Sequence, residues 1–455
     1  MSVETVDVVV VGMGPGGEEV AGRLAEAGLS VVGVDAELVG GECPYWGCIP
    51  SKMMIRAANL LAEARRIPGV AGRADVVPEW APVASRIRNE ATDNWDDTVA
   101  VERFEKKGGQ FVRGRGRLVA PDMVEVNGEQ FRAERAVVLA TGTSPFIPPI
   151  TGLADTPYWT NRDAVSAVEP PESLVVLGGG AVGAELAQVF ARFGTHVTVV
   201  EAADRLLPLE EPEAGAVIAD AFTADGIAVR VGVAALEVGH DGDHFTLELA
   251  DGERLSASHL LVVTGRRADL AAIGAEVLGF EAEARWITTD DRQRVTDSVW
   301  AVGDLTGKGA FTHVAMYQAA IAVADILGEP HPPAEYRALP RATFTDPEVG
   351  SVGITEQQAR EEGLAVAIGV TDVSATARGW LHRSGNEGVI KLIADRDRDV
   401  LVGATSVGPA GGEVLGLLTL AVHAQVPIPV LRSMIYAYPT FHRGVEDALR
   451  DLGES

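Results

Sequence analysis

The sequence predicts an α/β protein in which one strand–loop–helix–strand unit occurs twice and is followed by a third, mixed α+β domain. Two observations lead to this prediction. A glycine-rich loop follows a short apolar strand at two places, and from about Ala334 strands and helices alternate without such a loop. Because 455 residues are too many for one hydrophobic core, several domains are expected.

The first copy of the unit begins near the N-terminus. The apolar run Val6–Val11 is typical of a buried parallel strand, and a second strand ends at Asp35. The loop between them has the pattern G-x-G-x-x-G, with Gly12, Gly14 and Gly17. Such a loop lets the backbone approach a pyrophosphate at a helix N-terminus, and the acid that ends the second strand binds a ribose diol. We therefore predict a Rossmann-like site with Asp35, or alternatively Glu37, at the ribose.

The second copy repeats these features. A strand at Leu174–Leu177 precedes the loop, and the following strand ends at Glu201. The glycines of this loop are Gly178, Gly180 and Gly183. A carboxylate at Glu201 accepts hydrogen bonds from a ribose diol and repels a 2′-phosphate, so NADH is favoured over NADPH. Arg205 is close enough in sequence to weaken that preference. Between the two copies, residues 51–66 and 81–107 are predicted to be helical and 111–139 to be rich in strands.

Composition and charge exclude several classes of function. A nucleic-acid-binding protein needs a basic face, and no Lys/Arg-rich block is visible in the sequence. A protein with a net charge of −27 would also be repelled by an anionic membrane surface. No apolar run is long enough to span a membrane. The N-terminus lacks the basic and apolar regions of a secretory signal, so a cytoplasmic protein is expected.

The two cysteines, Cys43 and Cys48, are too close in sequence to stabilise a fold by cross-linking it, and two thiols alone do not make a four-ligand zinc site. Redox chemistry is the better interpretation. They lie in the segment G-G-E-C-P-Y-W-G-C-I-P-S-K, from Gly40 to Lys52. This segment resembles the class I pyridine nucleotide-disulfide oxidoreductases, a family that includes lipoamide dehydrogenase, glutathione reductase and mercuric reductase.

The resemblance covers the whole chain. Further segments similar to family motifs are A-T-G-T-S-P at 140–145, T-G-R at 264–266, A-V-G-D at 301–304 and F-T-D-P-E-V-G at 344–350. The resemblance implies an FAD-binding domain in two parts, 1–145 and 266–333, around an NAD(P)-binding domain at 146–265. Residues 334–455 would then form the dimerisation domain of a homodimer.

The resemblance also implies a mechanism. NADH delivers hydride to the flavin, and the electrons pass to the disulfide. Cys48 would be the thiol beside the flavin, Cys43 the interchange thiol that meets the acceptor, and Lys52 would pair with Glu185 near the flavin. The residues predicted to contact FAD or NAD are Gly12, Gly14, Gly17, Asp35, Gly41, Lys52, Gly116, Thr141, Gly142, Gly178, Gly180, Gly183, Glu201, Gly265, Gly303 and Asp304.

One family motif is altered. Thiol-reducing members end with H-P-T-x-x-E, whose histidine is the acid/base for the interchange thiol, but here Tyr438 and Arg443 occupy the histidine and glutamate positions. A tyrosine is a poor base near neutral pH. His442 and Glu446, four residues apart on an expected helix, could form a displaced acid/base pair or be a solvated surface pair.

The predicted function is NAD(P)H-dependent reduction of an acceptor through FAD and the cysteine pair. The acceptor could be an unusual disulfide, a metal ion or a quinone. Mercury reduction is disfavoured because the chain lacks a C-terminal cysteine pair, and no bound metal is predicted. Two alternatives are a lipoamide dehydrogenase that uses His442 as its base and, from a different class, a non-catalytic flavin-binding module of a larger complex.

Overall fold

A computed structural model describes residues 3–281 and 283–453. The strands are β1 (Val3–Val11), β2 (Val31–Asp35), β3 (Gln110–Arg113), β4 (Arg117–Ala120), β5 (Met123–Val126), β6 (Glu129–Leu139), β7 (Ser144–Pro145), β8 (Ser173–Leu177), β9 (His196–Glu201), β10 (Ala228–Val231), β11 (Ala235–His240), β12 (Phe245–Leu249), β13 (Arg254–Ala257), β14 (His259–Val262), β15 (Arg266–Arg267), β16 (Arg294–Thr296), β17 (Val299–Ala301), β18 (Pro340–Thr343), β19 (Glu348–Gly353), β20 (Val366–Asp372), β21 (Val389–Asp395) and β22 (Val400–Gly408).

The α-helices are α1 (Pro15–Glu26), α2 (Glu42–Tyr45), α3 (Cys48–Arg66), α4 (Ala81–Arg86), α5 (Thr98–Lys106), α6 (Asn161–Ser166), α7 (Ala181–Arg192), α8 (Pro212–Ala224), α9 (Thr312–Leu327), α10 (Glu356–Glu361), α11 (Ala377–His382), α12 (Gly411–His423), α13 (Ile428–Ser433) and α14 (Gly444–Asp451).

The first compact unit comprises Met1–Pro50, Ser85–Phe146 and Gly265–Tyr336. Its sheet has the order β16-β17-β6-β1-β2-β3, in which β17, β6, β1, β2 and β3 are parallel, and β5 and β4 extend from β6. Alternate valines of β1 enter two different core clusters, one on each face of the sheet. Burial on both faces explains the uninterrupted valine run of this strand.

The second compact unit comprises Ser51–Ala84, Ile147–Thr264 and Arg337–Ser455. It contains a parallel sheet of order β10-β9-β8-β14 and an antiparallel sheet β11-β12-β13. Its C-terminal part is an antiparallel sheet of order β18-β19-β22-β21-β20, against which α12 and α14 pack. The two parallel sheets, each with a glycine loop between a strand and a helix, and the C-terminal antiparallel sheet with its helices confirm the predicted fold class.

The predicted helical stretch 81–107 is interrupted. After α4 the chain makes a π-helical turn at Ile87–Ala91 and a tight turn at Asp93–Trp95 before α5 begins. The three residues of this tight turn have φ angles of 47°, 57° and 58°, in the left-handed region. The prediction of continuous helix was therefore wrong here, because a right-handed helix cannot pass through residues in that conformation.

Among the described helices, none is long and apolar enough to cross a membrane.

Candidate functional site

The carboxylate of Asp35 braces the first glycine loop. It ends β2, and its Oδ2 accepts a hydrogen bond of 2.6 Å from the backbone N–H of Met13, while Oδ1 accepts one of 2.7 Å from that of Glu37. Burial raises the pKa of Asp35, although both amide hydrogen bonds act in the opposite direction. Each carboxylate oxygen keeps a second lone pair, so Asp35 can still accept hydrogen bonds from a ribose diol.

The glycines of this loop serve two different purposes. A Cβ on Gly12 would lie 2.4 Å from the carbonyl oxygen of Ala140, and one on Gly17 would lie 1.9 Å from that of Gly12. Both positions need glycine for close backbone packing. A Cβ on Gly14, the N-cap of α1, would meet no protein atom within 4 Å. The loop therefore fits a pyrophosphate group, since the helix start stays accessible at Gly14 and its N–H groups favour an anion.

A second carboxylate in the first unit belongs to a hydrogen-bonded chain. Asp304 Oδ2 accepts a hydrogen bond of 3.0 Å from the hydroxyl of Thr143, which in turn accepts one of 2.9 Å from Nε of Arg266. The Arg266 guanidinium also lies 3.6 Å from Glu42, the residue before Cys43. Burial raises the pKa of Asp304, partly offset by Thr143 and Arg266. This series of contacts thus connects Asp304, the predicted flavin aspartate, to the start of the cysteine loop, residues 40–48.

The cysteine loop lies against the first glycine loop. The N–H of Gly40 donates a 2.7 Å hydrogen bond to the carbonyl of Met13, and a Cβ on Gly41 would lie 2.8 Å from Cα of Gly14. Helix α2 then places Cys43, which is half-buried. Cys48 begins α3 and is exposed, with its Sγ 3.5 Å from the Thr312 hydroxyl at the start of α9. A helix N-terminus favours a thiolate at Cys48.

In the second unit, the carboxylate of Glu185 on α7 holds Lys52 of α3. The Lys52 ammonium lies 2.9 Å from Oε2 of Glu185 and 4.7 Å from the ring centroid of Phe344. Oε1 of Glu185 accepts a 2.8 Å hydrogen bond from the N–H of Phe344. Glu185 is 5% exposed, which is rare for a carboxylate unless it is paired. The predicted pairing of Lys52 with Glu185 is present.

The second glycine loop has the same geometry as the first. Oε2 of Glu201 accepts a 2.6 Å hydrogen bond from the N–H of Gly179, and Oε1 accepts a 2.7 Å bond from that of Ala203. A Cβ on Gly183 would lie 2.0 Å from the carbonyl oxygen of Gly178, whereas one on Gly180 would meet no protein atom within 4 Å. This loop fits a dinucleotide by the same criteria.

Arg205, which the sequence placed close to Glu201, is engaged elsewhere. Its guanidinium donates to the carbonyl oxygens of Pro208 at 3.0 Å and Glu210 at 3.5 Å, and it pairs with Asp204 at 3.1 Å. These contacts direct the guanidinium towards its own loop.

The C-terminal residues correct one interpretation of the sequence. His442 lies in a 3₁₀ turn before α14, and its Nε2 is 3.4 Å from the Thr440 hydroxyl. Glu446 instead accepts a 2.5 Å hydrogen bond from Arg450, and its Oε2 is 3.1 Å from Arg443, an ion pair without hydrogen-bond geometry. The displaced pair of His442 and Glu446 is therefore wrong, because two arginines take the carboxylate and the expected helix does not include the histidine.

Tyr438 and Arg443, at the altered positions of the family motif, do contact each other. The guanidinium carbon of Arg443 lies 5.3 Å from the centroid of the Tyr438 ring, a cation–π contact. Tyr438 is 70% exposed.

The other predicted cofactor residues have mixed surroundings. The N–H of Gly303 donates a 2.6 Å hydrogen bond to the buried amide of Gln318. Gly142 and Gly265 have positive φ angles, and a Cβ at Gly142 or Gly265 would meet no protein atom within 4 Å. Thr141 directly follows Ala140, whose carbonyl oxygen lies close to Gly12. Gly116 packs on the sheet instead, since its Cβ would lie 2.9 Å from Val11.

Sequence reasoning missed a polar cluster around Arg192, which is 1% exposed at the end of α7. Its guanidinium donates to Asp225 at 3.0 Å, Asn59 at 2.7 Å and Asp346 at 2.8 Å. Asp346 also accepts from Arg66 at 2.8 Å. Arg192 occupies an ordinary last-turn position, and its partners are distant in sequence, so no local pattern identifies this cluster. Thr143 and Arg266 could have been identified from the sequence, because they lie within the A-T-G-T-S-P and T-G-R segments that resemble family motifs.

The sequence matches known families over nearly its whole length. Residues 6–319 match the family described as "Pyridine nucleotide-disulphide oxidoreductase", and residues 339–449 match its dimerisation domain. The dihydrolipoyl dehydrogenase of Thermus scotoductus is 32% identical, covering 99% of this chain and 98% of that protein. The mercuric reductase of Staphylococcus aureus is 29% identical, covering 97% of this chain and 81% of that protein.

A solved structure is also similar. The HOCl-induced flavoprotein disulfide reductase RclA from Escherichia coli superposes with a TM-score of 0.85 at 26% identity, covering 98% of this chain and 99% of RclA.

Fold and site together fit an oxidoreductase with two glycine loops of a geometry suited to dinucleotides and a cysteine pair beside the first. The chain belongs to the pyridine nucleotide-disulphide oxidoreductase family, whose members bind FAD and a pyridine nucleotide.

Proposed function

We propose that this chain is an NADH-dependent FAD enzyme that reduces an acceptor through Cys43 and Cys48. The observation that supports this most directly is the contact of Lys52 with Glu185. Lys52 lies one helical turn after Cys48 in α3, and its ammonium is fixed at 2.9 Å by the carboxylate of Glu185 on α7, the helix that follows the second glycine loop. A purely structural cysteine pair would not require a buried carboxylate to orient this lysine.

The flavin, when bound, would accept a hydride from the nicotinamide and pass two electrons to the disulfide. The residues of this chain do the rest. Gly14 and Asp35 would hold the pyrophosphate and ribose of FAD, and Asp304 would hold the ribityl chain. The Lys52 cation, held by Glu185, would favour negative charge in its surroundings. Cys43 would be the thiol that meets the acceptor.

The preference for NADH rests on Glu201. Its carboxylate ends β9 beside the second glycine loop, where it would accept hydrogen bonds from a ribose diol and repel a 2′-phosphate. Arg205 is bound to its own loop carbonyls, which removes the nearest candidate for holding that phosphate.

We further propose that the acceptor does not depend on a histidine base. Tyr438 and Arg443 occupy the positions of the family's histidine and glutamate, and an arginine cannot orient a base as a carboxylate does. The three candidate acceptors are therefore an unusual disulfide, a metal ion and a quinone.

The test is anaerobic reduction by NADH, followed by reoxidation with one acceptor of each type. Wild-type enzyme should take up two electrons beyond those of the flavin, and reoxidation should occur through the cysteines. Cys43→Ser should lose acceptor reduction by about 100-fold or more while NADH still bleaches the flavin. Equal turnover in Cys43→Ser and wild type for every acceptor would refute the cysteine route.

Dihydrolipoyl dehydrogenase activity is a second candidate, favoured by the 32% identical relative of that name. It would need His442 to act without Glu446. Reduction of NAD⁺ by dihydrolipoamide is therefore expected to be slow and unaffected by His442→Ala. Fast turnover that falls in that variant would support the second candidate instead.

We also propose a homodimer built by the C-terminal part of the chain, with domain limits at 1–145, 146–265, 266–333 and 334–455. Large apolar side chains are exposed in that C-terminal part: Trp380, Leu381, Ile435 and Tyr438. Exposed apolar side chains of this size are typical of an interface.

A further inference from the structure

Two indole rings stack beside the cysteine loop. Trp46 lies between the cysteines in sequence, and its ring is 5.4 Å from that of Trp95, with planes inclined by only 21°. Both residues are half-buried. Neither tryptophan has a part in the cofactor sites described above.

The single turn of α2 relates Trp46, one member of the stacked pair, to Cys43. Helix α2 is a single turn, and the N–H of Trp46 donates to the carbonyl of Glu42 at 2.8 Å, closing that turn. Residues three apart on a helical turn share a face, with Cβ atoms about 5–6 Å apart. Cys43 and Trp46 are related in this way, whereas Tyr45 turns into the core and is 7% exposed.

The tight left-handed turn at Asp93–Trp95 holds the second indole in place. The buried hydroxyl of Thr92 accepts a hydrogen bond from the N–H of Trp95, and Asp97 accepts a 2.6 Å bond from the N–H of Val39, just before the cysteine loop. Nε1 of Trp95 is buried without a hydrogen-bond partner among the described residues. Stacking on Trp46 therefore sets the orientation of this ring.

The surroundings of the pair are acidic. Asp93 and Asp96 flank Trp95 in sequence, and both are exposed. Glu42 adjoins Cys43 and lies 3.6 Å from Arg266, whose guanidinium also donates to Thr143. An anionic acceptor would be repelled here, while a neutral flat ring would find a stacking surface.

We propose that the stacked Trp46 and Trp95 determine acceptor specificity and select a neutral disulfide of an aromatic thiol. This inference rests on the proposed function, in which Cys43 meets the acceptor. The altered motif at Tyr438 and Arg443 points to the same class of acceptor independently. Aromatic thiolates are weakly basic leaving groups, so they depart without a proton from a histidine.

The reaction balances as two thiol–disulfide exchanges. The Cys43 thiolate attacks one acceptor sulfur, forms a mixed disulfide and releases one aromatic thiolate. Cys48 then attacks the Cys43 sulfur, restores the Cys43–Cys48 disulfide and releases the second aromatic thiolate. Overall, NADH and the disulfide give NAD⁺, two aromatic thiolates and a proton.

Three disulfides with different chemistry test the inference: dithiodipyridine is aromatic and neutral, dithiobis(nitrobenzoate) is aromatic and anionic, and hydroxyethyl disulfide is aliphatic and neutral. Wild-type enzyme should prefer dithiodipyridine in kcat/KM. Trp46→Ala and Trp95→Ala should each lower the ratio of dithiodipyridine to hydroxyethyl disulfide by roughly tenfold, the scale of one aromatic contact. Trp46→Phe and Trp95→Phe, which keep a flat ring, should restore most of that ratio.

Charge is tested separately. Asp93→Asn combined with Asp96→Asn should raise kcat/KM for the nitrobenzoate relative to dithiodipyridine, and added salt should have a similar effect in the wild type. Flavin bleaching by NADH, measured in each variant, gives the content of intact enzyme.

The outcomes separate the two proposals. If Cys43→Ser still reduces dithiodipyridine at the wild-type rate, the proposed function fails. If Cys43→Ser abolishes turnover but the alanine variants at Trp46 and Trp95 leave the aromatic-to-aliphatic ratio unchanged, the cysteine route stands and the specificity role is wrong.

Discussion

Asp35 and Glu201 are two carboxylates with the same structural task. Each ends the second strand of its strand–loop–helix–strand unit. Each accepts one hydrogen bond from the residue after the first glycine of the loop and one from the residue two places after itself. The carboxylate therefore shapes the loop, in addition to the ribose contact that we propose for it. A substitution at either position should therefore alter both the shape of the glycine loop and the binding of the ribose. Comparing kcat/KM for different nucleotides can distinguish these two effects.

Replacing Glu201 tests the nucleotide preference. Glu201→Ala should lower kcat/KM for NADH by about 10- to 100-fold, because hydrogen bonds to a charged group are lost. NADPH should lose less, since the repulsion of its 2′-phosphate disappears at the same time. Steady-state kinetics with both nucleotides, at a fixed acceptor concentration, give the ratio.

Arg205→Ala is the matched control for that substitution. Because its guanidinium is bound to the carbonyls of Pro208 and Glu210, the ratio of NADH to NADPH should stay within about twofold of wild type. A marked loss of NADPH turnover in Arg205→Ala would show that this arginine reaches the nucleotide and would overturn the assignment.

At the scale of the element, the glycines of each loop fall into two groups, those that allow close backbone packing and those that leave open space for a ligand. Gly12 and Gly17 sit where a Cβ would overlap backbone atoms, whereas Gly14 presents its open side where the helix begins. Sequence alone marks all three glycines equally. The structure divides them into two positions that backbone packing requires and one, Gly14, where the protein leaves room for a Cβ and where we propose that a phosphate binds.

Two alanine substitutions test this division. Gly14→Ala should change the free energy of unfolding of the flavin-free protein by at most about 1 kcal/mol, the scale of an N-cap preference, yet it should weaken FAD binding strongly. Gly17→Ala should destabilise the protein itself by several kcal/mol, roughly the cost of overpacking plus backbone displacement. Urea unfolding and flavin absorbance per chain measure the two effects; equal flavin content in Gly14→Ala and wild type would contradict the assignment of Gly14.

The turn at Asp93–Trp95 shows what local patterns cannot predict. Left-handed residues without glycine cost about 1–2 kcal/mol each, although Asp and Asn tolerate this conformation better than most residues. No glycine or proline interrupts residues 87–100, so the sequence favoured an unbroken helix. The stacking of Trp95 on Trp46 and the bond from Val39 to Asp97 join residues far apart in sequence, and such contacts are invisible to periodicity.

At the scale of the whole molecule, the exposed apolar side chains of the C-terminal part predict association. Ile435 is 96% exposed, and Ile435→Asp should shift the protein from dimer towards monomer by placing a charge in the interface. Leu209→Asp is the matched control, because Leu209 is 81% exposed but lies outside the C-terminal part. Sedimentation velocity at several concentrations measures both, and an unchanged dimer in Ile435→Asp would place the interface elsewhere.

Much of the architecture could be predicted because its signals are local. The strand–loop–helix–strand units, the strand-ending acids and the cysteine segment are all contiguous in sequence, and the resemblance supplied the order of the domains. The pairing of Lys52 with Glu185 came from that resemblance and is present. The failed pairing of His442 with Glu446 depended on assuming one helix where the chain makes a 3₁₀ turn.

The cluster around Arg192 has a consequence for how this sequence can diverge. Asp346 neutralises both Arg66 and Arg192, so its replacement by a neutral residue would leave two guanidinium groups with one partner fewer, one of them fully buried. Losing one member of a buried ion pair costs about 3–5 kcal/mol, a large share of the stability of a folded domain. A single substitution at any of these sites is therefore expected to be selected against. Homologous chains should replace Arg66, Arg192 and Asp346 together or retain all of them.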